Sequence, residues 1–219
     1  MWCIPKVTPE FITRMNDVLE VYERPYDPVR PVVCMDEKSK QLLQDTKQRK
    51  PLPMRPGKPT RADYEYKRNG TANLFVAVEP KAGKRVVRVT KRRTKKDYAS
   101  FIKHLVTNAY KDVEKVVLVE DNLNTHKPEA LVEILGEKTG KRIADKIEWH
   151  YTPKHASWLD QAEIEIHSLE QQCLNRRIPD FHTMQSEVAA CVKKRNQDKC
   201  GITWQFTREK AKEKFKQAL

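Results

Sequence analysis

Two short runs constrain this chain more than any other feature. Val32-Val33-Cys34-Met35 and Val116-Val117-Leu118-Val119 are apolar at every position, and each runs straight into an acidic pair, Asp36-Glu37 and Glu120-Asp121. A strand with one wet face alternates apolar and polar residues. One that is apolar throughout needs cover on both faces. Both runs therefore belong inside a sheet with helices above and below it. Asn73-Leu74-Phe75-Val76-Ala77-Val78 and Arg85-Val86-Val87-Arg88-Val89 read as two strands of a hairpin turned at Pro80 to Gly83, and Ile147-Glu148-Trp149-His150-Tyr151 reads as a last strand. Thr8-Pro9-Glu10 starts a helix, with Phe11, Met15, Val18, Leu19 and Tyr22 at helical spacing, and Pro25, Pro28 and Pro31 end it in a stiff connector. A helix is predicted from Thr94 to Tyr110, another after Pro128, and three more starting near Asp160, Pro179 and Thr207. This order predicts an α/β fold: a mixed five-stranded sheet with helices on both faces. The proline-rich, basic stretch from Arg49 to Arg61 reads as a long loop.

The charge balance narrows the partner. Over 219 residues the formal net charge is +13, with 33% charged residues. That favours a polyanion such as nucleic acid. A hydrophobic content of 38% is enough for a core. No run approaches the roughly 20 apolar residues that span a bilayer, and the start of the chain lacks the order of a signal peptide. The five cysteines form no CxxC pair, which argues against zinc and for reduced thiols in a cytosol.

Acids at the ends of central strands suit hard cations such as magnesium, which take oxygen ligands. Two such ions can stabilise the attacking and leaving oxygens of a phosphoryl displacement. Asp36 and Asp121 are the strand-end candidates. Glu163 completes the set, early in a helix that buries Ala162, Ile166, Leu169 and Cys173. Glu165, two residues on, projects about 200° away from Glu163. Each acid also has a simpler reading: Asp36 and Asp121 as solvated turn residues, Asp160 with Glu163 as a helix capping box.

The surrounding words resemble the three catalytic blocks of a DDE transposase, most nearly the bacterial insertion-sequence branch of the mariner-related superfamily. They are Val33 to Lys40, Asp121-Asn122-Leu123-Asn124-Thr125-His126, and His150 to Leu159 followed by Ala162-Glu163-Ile164-Glu165. Pro51 to Met54 with Pro56-Gly57, Asp63 to Asn73, and Gln172 to Arg177 add to the likeness, which runs from about Pro31 to Phe206. Asp121 and Glu163 are 42 positions apart, compatible with the family. The resemblance implies a ribonuclease-H-like catalytic domain over 31–219, preceded by a helix and connector over 1–30. It implies Asp36, Asp121 and Glu163 as catalytic metal ligands for Mg2+ or Mn2+, two ions in all. It also implies cleavage at terminal inverted repeats, strand transfer into a TA target, a homo-oligomer on DNA, and a nucleoid-associated place in a bacterial cytoplasm.

Two positions depart from the family: Asp160 where asparagine is expected, which adds negative charge near the metals, and Ala156 where glycine is expected, which stiffens a turn. The helix-turn-helix domains that precede the catalytic domain in the family have no counterpart here. The expectation is a half encoded separately upstream, or a truncated remnant. The rival functions are a regulatory, non-cutting DNA-binding fragment and another ribonuclease-H-like nuclease or integrase. Supporting or DNA-contacting candidates are His126, Asn122, Lys154, His155, Trp158, Arg55, Lys58, Arg92 and Arg93. For His126 a phosphate contact or the orientation of a metal-bound water is weighed against a structural role, the more common one for a lone histidine. The alternative for each is an ordinary packing or solvated residue.

Overall fold

The computed structural model describes residues 7–46, 52–59, 61, 64–123 and 126–215. Its elements in chain order are α1 (Pro9–Glu23), β1 (Val32–Asp45), β2 (Tyr66–Glu79), β3 (Lys84–Thr90), α2 (Lys95–His104), β4 (Val116–Glu120), α3 (Pro128–Leu135), α4 (Glu137–Ala144), β5 (Ile147–Tyr151), α5 (Ala162–Leu169), α6 (Phe181–Gln197) and α7 (Arg208–Phe215). The five strands form one sheet in the order β3-β2-β1-β4-β5. β3, β2 and β1 run antiparallel; β1, β4 and β5 run parallel. The expected mixed sheet is therefore present.

Strand alternation sorts the core into two faces. Val33, Met35, Phe75 and Leu118 pack with Phe101, Ile102, Leu105 and Leu131 from α2 and α3 and the turn that follows α2. Cys34, Val78, Val117 and Val119 face the other way, against Phe11, Met15, Val18 and Leu19 of α1 and Phe215 of α7. On that second face Leu74, Val76 and Val89 meet Ile166 and Leu169 of α5 and Met184 and Val188 of α6. Each such side chain, fully buried, contributes about 1.5–3 kcal/mol. This double cover is what the uninterrupted apolar runs require. α1 starts as read, with the Thr8 hydroxyl accepting from Phe11 N at 3.2 Å and Pro9 in the first turn.

One expectation needs correction, and others gain detail. β1 does not stop at Asp36; it continues to Asp45, paired with β2 down to Tyr66 through a bulge at Gln41/Leu43. Beyond Met35 its residues are mostly half-buried or exposed. Backbone pairing, which needs no apolar pattern, carries the strand onward. The described part of the basic stretch is a loop crossed by two isolated bridges. Arg55 and Lys58 pair around Pro56-Gly57, Gly57 at φ 72°, and Leu52 pairs with Arg61. Arg49 and Lys50 lie outside the described residues. The helix after Pro128 is two helices, because Gly136 breaks it and Gly140 lets α4 lie against α3. A Cβ at Gly140 would sit 2.5 Å from Val132 Cα. The reading from Thr94 to Tyr110 is helical throughout, but Leu105–Ala109 widens into a π turn, as does Glu170–Leu174 after α5. No helix among the described residues is long and apolar enough to cross a membrane.

Candidate active site

The parallel register between β1 and β4 builds the site. Val32 pairs with Val117 and so on up to Met35 with Glu120, and the next residue on each chain is Asp36 and Asp121. Both stand at the carboxyl edge of the parallel strands, where the covering layers part. Alternation sends Asp36 to the α5 face with Cys34, and Glu37 to the α2 face with Met35. Burial is the main cause that pushes the Asp36 carboxyl up to about 7. Its Oδ1 accepts the Glu37 N–H at 2.7 Å, which offsets part of that, while the charges of Glu163, Asp121 and Glu37 add to it. All three candidate ligands thus share one electrostatic neighbourhood. Glu163 is exposed on the first turn of α5, beside the buried row of Ala162, Ile166 and Leu169; Cys173 is only half-buried. Among the described residues, no three Asp, Glu, His or Cys side chains converge closely enough to hold a metal ion. The chemistry of the set still fits a hard cation. All donors are carboxylate oxygens.

His126 is fully buried, in keeping with the structural role weighed for it. Its Nε2 lies 3.0 Å from Glu37 Oε1 and its Nδ1 2.5 Å from Asp121 Oδ1. Its ring stacks on Tyr98 at 4.7 Å, and Tyr98 OH donates to both oxygens of Glu120 at 3.1 Å. Burial opposes charge on His126, but its contacts with Asp121 and Glu37 and the nearby Glu120 outweigh burial and raise it to about 11. Burial raises Glu120 to about 8, against the pull of His126 and Tyr98. At neutral pH the ring is therefore an imidazolium that bridges β1 to the residue after β4. Glu37, Glu120 and Tyr98 belong to this site and were not among the sequence candidates. The signal was available: in each acidic pair, one residue must face α2 when the other faces α5.

The His126 charge has a measurable consequence. A group raised in the fold stabilises it fully below its ordinary value, here 6.5, and loses that contribution as pH climbs to about 11. The stability gap between the native chain and His126→Gln should therefore shrink from pH 7 to pH 10 in urea titrations. A gap constant across that range would exclude a charged His126.

The α5 start differs from a capping box. Asp160 Oδ1 accepts from Ala162 N at 2.8 Å, and the Asp160 N–H donates to Ser157 O at 2.7 Å, not to Glu163. Asp160 is buried, and burial first, then the Asp36 charge, holds its carboxyl well above the usual range. It therefore does not add the full negative charge its identity suggests. Ala156 is buried at φ −124°, and the left-handed residue of the turn is His155 at φ 62°, so alanine is unstrained there. Glu165, opposite Glu163 as predicted, is fully buried between Arg85 Nε at 3.0 Å and Arg195 Nε and Nη2, each at 2.9 Å. Asn122, Lys154 and His155 are exposed beside the site. Trp158, 36% exposed, sits edge-on to Phe206. Arg55 and Lys58 lie in the loop between β1 and β2, remote in sequence from the acids, and Arg92 and Arg93 are exposed between β3 and α2.

Residues 31–185 match the family described as DDE superfamily endonuclease. The whole chain superposes on the Mos1 strand transfer complex with a TM-score of 0.58 at 14% identity, covering 63% of that chain. It superposes on the mariner Mos1 paired end complex with Mg with a TM-score of 0.52 at 14% identity, covering 94% of this chain and 66% of that one. The chain thus spans about two thirds of the length of these structures, and the likeness identifies its fold as ribonuclease-H-like. No curated protein matches it by sequence.

Proposed function

Because the chain belongs to the DDE superfamily endonucleases, we propose that it is the catalytic part of a DNA transposase, with Asp36, Asp121 and Glu163 as its metal ligands. The observation that carries this reading is the β1–β4 register, which delivers Asp36 and Asp121 side by side within reach of the Glu163 charge. Its DNA is the terminal inverted repeats of an element and a TA target, acted on by a homo-oligomer. The two superposed structures are described as a strand transfer complex and a paired end complex with Mg. Two Mg2+ or Mn2+ ions, when bound by the three acids, would supply Lewis-acid stabilisation of the attacking and leaving oxygens.

The remaining work falls to the chain itself. β1 and β4 fix the Cα positions of two acids through ladder hydrogen bonds. His126 holds Asp121 from behind while its other nitrogen is held by Glu37, so the Asp121 carboxylate cannot swing freely. α5 brings Glu163 over the sheet edge, and Glu165 fixes that helix from below.

Protons and cations compete at Asp36. With its carboxyl near 7, lowering the pH refills it with a proton, so cation affinity should fall by up to about tenfold per pH unit below 7. Mn2+ binding followed by electron spin resonance between pH 5.5 and 8 measures this. The reading is lost if affinity is flat over that range, or if Asp36→Asn combined with Glu163→Gln binds Mn2+ as the native chain does.

A further inference from the structure

Helix α1 contributes none of the carboxylates, yet its first turns form one wall of a groove that opens beside Asp121. Thr8, Glu10 and Arg14 stand on that wall; Asn122, Lys154 and His155 stand opposite, around a space of about 330 Å³. Both walls are tied to the frame of the acids. Asn122 directly follows Asp121, and Lys154 and His155 lie just past β5, whose Tyr151 hydroxyl donates to His126 O at 3.0 Å. The left-handed turn at His155 bends the loop back toward α1.

The groove is built for an anion. Among the described residues, the side chains of Asn122, Lys154 and His155 have no protein partner. Arg14 Nε reaches Glu10 Oε1 at 3.1 Å, an exposed pair one helical turn apart. Such pairs hold weakly in water, and the guanidinium keeps four more N–H donors. An anion with several oxygens can take those donors and the Lys154 ammonium together. A polyanion fits the +13 charge of the chain, and a groove that opens at a phosphoryl-transfer site fits a linear one.

We infer that this groove seats a backbone phosphate of the DNA strand next to the one being cut, with Arg14 and Lys154 as its counter-charges and Asn122 as a further donor. The inference rests on the DNA-cutting reading above. It gives α1 a function beyond packing: its first turns grip the strand beside Asn122. Glu10 is the competitor that DNA displaces from Arg14.

The test is anisotropy of a fluorescent 20-mer duplex of arbitrary sequence, titrated with the full chain in EDTA at several salt concentrations. Removing both cations, Arg14→Ala with Lys154→Ala, should weaken binding about tenfold or more and lower the slope of log affinity against log salt by about one per cation. Glu10→Gln should tighten binding a few-fold, a gain that misfolding cannot produce. Salt slopes equal to the native chain in the double variant, or a Glu10→Gln chain that binds no tighter, would overturn the groove. Cleavage by an Asp121 variant reports on the cutting reading alone, since these slopes are read without metal and without turnover.

Discussion

Asp121→Asn is expected to lower metal-dependent cleavage of DNA carrying the element's ends by about a thousandfold or more, the loss that several kcal/mol of Lewis-acid stabilisation represents. Asparagine keeps the shape of the side chain, so no cavity forms. What it removes is the charge. The buried His126 keeps its contact with Glu37 but loses its 2.5 Å contact to a carboxylate, and a cation loses the acid that stands beside Asp36. Glu163→Gln sharpens the experiment. Glu163 is exposed, so the change should leave stability within about 0.5 kcal/mol while cutting cleavage comparably. Full cleavage by both variants would overturn Asp121 and Glu163 as metal ligands, whereas no cleavage by the native chain would favour the regulatory DNA-binding role.

The largest stability effect is expected not at these acids but two residues further along α5. Glu165→Ala should destabilise the fold by about 3–5 kcal/mol, because it leaves a buried guanidinium without its counter-charge. The Arg85 side chain is wholly buried, and Glu165 is its carboxylate partner at 3.0 Å. Arg85 is also committed elsewhere: its backbone N–H and Nη1 donate to Asn196 Oδ1 at 2.8 and 3.2 Å, and its Nη2 donates to the Cys200 carbonyl. It therefore cannot swing out to water without breaking the join of β3 to α6. Replacing the three together, Arg85→Met and Arg195→Met with Glu165→Leu, should cost much less than Glu165→Ala, since it leaves no buried charge without its partner. Urea unfolding of the three chains measures this. A Glu165→Ala loss below about 1 kcal/mol would show that the network is solvated, against its burial.

What was legible in the sequence follows the physics of each signal. Val32 to Met35 and Val116 to Val119 announced central strands because no wet face allows four apolar residues in a row. The start of α1 was legible because Thr8 and Pro9 each act locally. The pairing of β1 with β2 beyond Met35 was not, because Asp36 to Asp45 and Tyr66 to Ala72 are held by ladder pairing, which leaves no hydrophobic period behind. The helix after Pro128 was legible, but not its end at Gly136, because α4 packs back on α3 through Gly140. At the site, position could be read but burial could not. Asp160 and His126 are each sealed by distant segments, Asp160 by the α1 face and His126 by Tyr98 of α2. Arg85, on a strand reading as ordinary alternation, gave no sign that Glu165 waited for it.

The packing of α1 also sets a clock. Its apolar stripe, Phe11, Met15, Val18 and Leu19, is covered by Leu159 and Ala162 and by Ala211 and Phe215 of α7, with Phe11 and Phe215 edge to face at 6.0 Å. Those partners are made some 150–200 residues later. At about 5–20 residues per second, a ribosome takes roughly 10–40 s to deliver the last of them. For that interval the stripe has only the sheet residues Cys34, Val78, Val117 and Val119 as native cover, so its α7 side stays open until the last of the partners is made.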